Sequence, residues 1–114
     1  MSKKFDIYID LGRKRLQYLK KYKDIAKQVK EIVLRFCSNA EIYVFGSVLN
    51  GEFTAASDID ILIVCDNLNS EEKYRLTAEI HKHMNFDAPI EVHFATKNEF
   101  SKWYSKFLDK YEKI

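Results

Sequence analysis

Glycine and proline are scarce in this chain, with three of the first and one of the second among 114 residues. So few chain-breaking residues exclude collagen-like, linker-like and low-complexity architectures and favour regular elements joined by a small number of turns. The two cysteines, Cys37 and Cys65, are too few for a disulfide scaffold and share no metal-ligand spacing. With a reducing compartment expected, pairing is disfavoured and both are read as small buried hydrophobes without chemistry. No apolar run approaches the roughly 20 residues a membrane-spanning helix needs, so no membrane partner is expected. The segment MSKKFDIYIDLGRKR has neither the apolar stretch nor the cleavage site of a signal peptide, which makes the expected location cytoplasmic.

Apolar residues make up 46% of the chain and charged residues 32%, the profile of one compact, helix-rich domain over 1–114. The net charge of +2 hides an asymmetry: residues 1–30 hold ten Lys/Arg against three Asp, and the remainder hold nine against fourteen Asp/Glu. A solvated helix face accounts for the basic segment most simply. The alternative is a surface for phosphates, nucleic acid or an acidic partner, with nucleic acid the weaker option.

Apolar positions at Leu16, Leu19, Tyr22, Ile25, Ala26, Val29, Ile32, Val33 and Phe36 step by three and four, which predicts one long first helix. EIYVF, from Glu41 to Phe45, predicts a short strand, and Asp58 to Cys65 a second. Asn69 stands three residues before Glu72, a capping box ahead of a middle helix that carries Leu76, Ile80 and Met84 on one row. PIEVHFA forms a third strand in which Ile90, Val92 and Phe94 alternate with Glu91, His93 and Ala95. A second capping box, Thr96 to Glu99, opens a final helix faced by Phe100, Trp103, Tyr104, Phe107, Leu108 and Tyr111. That face packs on the sheet, with part of it left for a dimer or partner. The expected fold is α/β (α+β), a mixed three- to four-stranded sheet flanked by helices in the order helix, strand, strand, helix, strand, helix.

The chemistry concentrates between Phe45 and Val64. In an extended strand alternate side chains share a face, so Asp58 and Asp60 are expected side by side while Ile59, Ile61 and Ile63 point the other way. Carboxylates that close repel unless a cation or strong donors intervene, and hard divalent ions favour carboxylate oxygens. A bare Asp-x-Asp is more often a turn cap plus an ion pair; its surroundings shift the balance. Gly46-Ser47 directly follows a strand, where a tight turn aims backbone N–H groups and a hydroxyl at an anion. GSVLNG has the glycine spacing of a P-loop, but Glu52 and Phe53 stand where Lys and Ser/Thr are required, and no Gly-x-Gly-x-x-Gly occurs.

Gly46-Ser47 followed at ten residues by Asp58-Ile59-Asp60, with Gly51 and Ser57 between, resembles the DNA polymerase β-like nucleotidyltransferase superfamily, in particular its minimal nucleotidyltransferases, often paired with HEPN-domain proteins. The resemblance implies that Asp58, Asp60 and Glu91 are the catalytic, metal-holding acids. It also implies phosphate or nucleotide contacts from Gly46, Ser47, Asn50 and Ser57, two Mg²⁺ ions, and ATP or another nucleoside triphosphate as substrate. Transfer of AMP to a hydroxyl on a HEPN-type toxin, as its antitoxin, is the implied activity; docking on such a partner without turnover is the alternative. Three positions depart from the pattern. Asn50 and Leu49 replace the Arg and Ala common in the turn, and the third acid is Glu91 where Asp is commoner. His93 is read as a half-buried neighbour of the site, and His81 and His83, two apart on a helix, as surface residues.

Overall fold

The computed structural model describes residues 3–104, 106 and 110–114. Two helices open the chain, α1 (Lys3–Lys20) and α2 (Tyr22–Phe36), where the periodicity predicts one. Lys21 adopts φ −103°, ψ 25° between them, while its N–H still donates to the carbonyls of Gln17 and Tyr18. A one-residue break of this kind leaves the apolar stripe in phase, because Leu19 of α1 and Ile25, Ala26 and Val29 of α2 enter the same core. Periodicity therefore cannot reveal it. The first half of α1 projects from the domain and leaves Ile7, Tyr8 and Leu11 exposed.

β1 (Glu41–Phe45) runs through a one-turn 3₁₀ helix (Ser47–Asn50) and a loop into β2 (Ile59–Val64). α3 (Ser70–His83) then crosses to β3 (Ile90–Ala95), and its Asn69–Glu72 capping box forms with both hydrogen bonds. The Thr96–Glu99 box forms as well and starts helix α4 (Lys97–Glu99), which continues as a π-helical turn over Phe100–Tyr104. Helical backbone thus covers Lys97 to Tyr104 and Lys106, as expected of the final helix, whereas Tyr111, expected on it too, lies in a strand, β4 (Tyr111–Lys113). Phe107, Leu108 and the side chain of Trp103, which the sequence reading put on that helix, lie outside the described residues. Tyr111 joins the same aromatic cluster from a strand: Tyr43 stacks on Phe100 at 4.4 Å, and Tyr111 meets both rings edge-on. An aromatic spacing compatible with a helix face served sheet packing from two elements.

The sheet order is β3-β2-β1-β4. β1 pairs antiparallel with β2 and β4, whereas β2 and β3 are parallel, as a strand–helix–strand crossover through α3 requires. One face carries Ile42, Val44, Ile59, Ile61, Ile63 and Ile90 into the main core with α2 and α3. Each large apolar side chain buried there contributes about 1.5–3 kcal/mol. The other face holds a smaller cluster of Tyr43, Leu62, Val64 and Ala95. Burial, with Glu41 beside the hydroxyl, pushes the Tyr43 phenol up to about 12.

Cys37, after α2, and Cys65, after β2, are joined as a disulfide, which corrects the reading of both as unpaired. They stand 28 residues apart, and nothing in that separation announces that packing α2 onto the sheet brings both thiols to one buried place. No helix among the described residues is long and apolar enough to cross a membrane.

Candidate active site

The parallel register of β2 and β3 sets Asp60 directly beside Glu91 and Leu62 beside His93. Side chains alternate, so Asp60, Glu91 and His93 all emerge on the face opposite the main core, at the end of the sheet where β2 begins. His93 Nε2 lies 3.4 Å from Asp60 Oδ1 and 3.7 Å from Glu91 Oε1. The Phe45 ring packs at 5.1 Å from the imidazole and limits its freedom. Burial pushes the Asp60 carboxyl above its ordinary value; the His93 hydrogen bond opposes this, and the negative charge of Glu91 adds to it. A carboxylate held at that cost is stabilised by any cation that joins it.

Gly46 explains how the turn approaches this acid. Its φ of +89° belongs to the region that side chains other than hydrogen rarely adopt, and a Cβ there would collide with Asp60 Oδ2. The backbone of the turn therefore lies against the carboxylate. Ser47 and Asn50, at the two ends of the 3₁₀ turn, are exposed, while buried Val48 anchors it and Gly51 closes it at φ +68°. The Ser57 hydroxyl accepts the Thr54 N–H at 2.9 Å, so that it closes the loop before β2.

Asp58 departs from the strand geometry expected of it. β2 begins at Ile59, and the Asp58 carboxylate on the preceding loop accepts from Arg15 of α1 at 3.2 Å. The same guanidinium donates to the Ala55 carbonyl at 2.7 Å and the Ser57 carbonyl at 3.0 Å, tying the loop to the helix. Sequence reasoning passed over Arg15, because one arginine among ten basic residues looks like the rest of a solvated face. His93, expected as a half-buried neighbour of the site, stands within reach of both acids, and its position two residues after Glu91 is the sequence signal for it. Among the described residues, Asp60, Glu91 and His93 form a group whose ligand atoms all lie within 4.8 Å of one another. Two carboxylates and an imidazole at these separations suit a divalent cation.

The nucleotidyltransferase domain family matches residues 18–114, from the end of α1 onward. A crystal structure of a protein assigned as a nucleotidyltransferase superposes with a TM-score of 0.63 at 38% identity, covering 77% of this chain and 95% of that one. A second, from Sulfolobus solfataricus and likewise assigned, gives a TM-score of 0.60 at 19% identity over 88% of this chain and 85% of its own, a likeness of fold. No curated protein matches the chain by sequence.

Proposed function

Because the chain belongs to the nucleotidyltransferase domain family, we propose that it is a divalent-metal-dependent enzyme that transfers a nucleoside monophosphate, AMP from ATP, to a hydroxyl on a partner protein. The observation that carries this is the convergence of Asp60 and Glu91 beside the Gly46 turn. Asp58, Asp60 and Glu91 would hold the cations, Mg²⁺ by the family resemblance, and the N–H groups and hydroxyl of Gly46-Ser47 would orient the triphosphate. Divalent cations held there would neutralise charge on the attacking and leaving oxygens. The acceptor oxygen attacks the α-phosphorus, the bond from that phosphorus to the oxygen leading to the β-phosphorus breaks, and pyrophosphate leaves with the electron pair. Glu91 takes the hydroxyl proton. Such a reaction needs orientation and charge compensation more than a covalent nucleophile.

The partner in this reading is a HEPN-type toxin, with the chain as its antitoxin. Exposed Ile7, Tyr8 and Leu11 on projecting α1 support a docking role, for such a protein or for a second copy of the chain. The test supplies purified protein with ATP labelled at the α-phosphate, a divalent cation and the product of the neighbouring gene. Label on the partner that depends on Asp60 is the expected result. Equal labelling by an Asp58→Ala/Asp60→Ala variant would exclude the activity.

One observation favours a second reading, that of a binding module with little turnover: the Asp58 carboxylate is engaged by Arg15, and exposed Asn50 replaces the family's turn arginine. Partner neutralisation that survives loss of both aspartates would select it.

A further inference from the structure

We propose that His93 is itself a metal ligand, donating Nε2 to the ion that Asp60 and Glu91 hold, so that the site takes a first-row transition-metal cation such as Mn²⁺ in preference to Mg²⁺. The inference rests on the metal-dependent reading above and deepens it. Two donors bound to one ion at about 2.1 Å and at right to tetrahedral angles stand about 3.0–3.4 Å apart. Nε2 lies 3.4 Å from Asp60 Oδ1 and 3.7 Å from Glu91 Oε1, so one cation can be reached by all three side chains with small movements.

The imidazole is also directed. Phe45 flanks its ring, and the parallel register keeps His93 one pleat beyond the Asp60–Glu91 pair on the same face. At 3.4 Å the Nε2–Asp60 contact is at the long limit of a hydrogen bond, which makes a bond that fixes the ring for packing alone a weak explanation. Selectivity follows from donor chemistry. Mg²⁺ is hard, binds oxygen almost exclusively and gives up water reluctantly, whereas later divalent ions accept imidazole readily. An imidazole in the set therefore shifts preference away from Mg²⁺ without any change in the carboxylates.

Electron spin-echo envelope modulation of the full chain loaded with Mn²⁺ reads the ligand set directly. Expected is a ¹⁴N coupling from one imidazole that is retained in a His81→Gln/His83→Gln variant and lost in His93→Gln. In parallel, free Mn²⁺ measured by its solution resonance should show affinity weakened in His93→Gln by more than the roughly 10- to 100-fold that loss of an outer-shell partner costs, with competition by Mg²⁺ correspondingly easier. The wild-type spectrum decides even if that variant folds poorly. An oxygen-only spectrum with Mn²⁺ bound overturns the proposal and leaves nucleotidyl transfer intact. So does a nitrogen coupling that follows His81 or His83, or absence of Mn²⁺ binding; in each case the labelling assay with Mg²⁺ judges the activity separately.

Discussion

Asp58 and Asp60 are one residue apart and identical in chemistry, yet they occupy different physical environments. Asp60 lies inside a strand paired on both sides, with a less exposed side chain, beside Glu91 and His93 and under the Gly46 backbone. Asp58 lies on a loop, its more exposed carboxylate held by an arginine from α1, a position outside the segment that the family matches. The rigid sheet fixes one acid, and an appended helix restrains the other. An Asp-x-Asp motif thus names two carboxylates without saying that both are presented alike: the first lies just before the strand whose pleat was expected to align them.

The largest effect should separate the two acids at once. Asp60→Asn should lower nucleotidyl transfer by roughly two to three orders of magnitude, since charge compensation at the reacting oxygens is lost. Its cation affinity, followed by calorimetric titration, should fall with it, and Asp58→Asn should weaken cation binding less. An equal fall in both would erase the distinction.

Gly46→Ala attacks the Asp60 side through the backbone. A residue other than glycine at φ +89°, with its Cβ against the carboxylate, should cost about 1–3 kcal/mol in urea unfolding. Gly51→Ala, also at positive φ but with nothing near its Cβ, should cost less and leave activity largely unchanged. Comparable losses of activity would mean that the close approach to Asp60 is unimportant.

Arg15→Ala acts on the other side. The ion pair is partly exposed and worth about 0–1 kcal/mol, and the two carbonyl hydrogen bonds add roughly 1 kcal/mol each at most. Faster amide hydrogen exchange confined to residues 51–58 is the expected signature. Exchange spreading into β2 would show that the loop and the strand are one unit.

The smallest effect is on pH dependence. Asp60 has its folded-state value raised above the unfolded one, mainly by burial. Its contribution to stability is therefore present below the unfolded value near 3.8 and is lost as pH rises through the folded one. Asp60→Asn should accordingly be more stable than the metal-free wild type at neutral pH, by a margin that narrows on acidification. Urea midpoints across that range check it, and a margin independent of pH would show that Asp60 is not held against its charge.

Local rules made much of the fold legible. β1 occupies the predicted residues, both capping boxes form as their spacing requires, and the alternation in β3 correctly separates Ile90 from Glu91 and His93. These features depend on neighbours within a few residues, which a linear pattern records. The break at Lys21 leaves no trace in the pattern because it preserves the phase of the stripe. The terminal strand was obscured because its aromatic residue fits helical spacing equally well.

The order of residues alone settles which groups are available: the glycine that a tight turn needs, two aspartates at the mouth of a strand, and a glutamate and histidine alternating out of the core. Their company was settled by long-range packing. Parallel pairing placed Asp60 beside Glu91, and α1 delivered Arg15 to Asp58. Docking α2 on the sheet likewise brought Cys37 to Cys65. Each pairing joins residues 28 to 43 positions apart, beyond the reach of any local periodicity, and each exists because packing helices and strands around one core decides which distant residues meet.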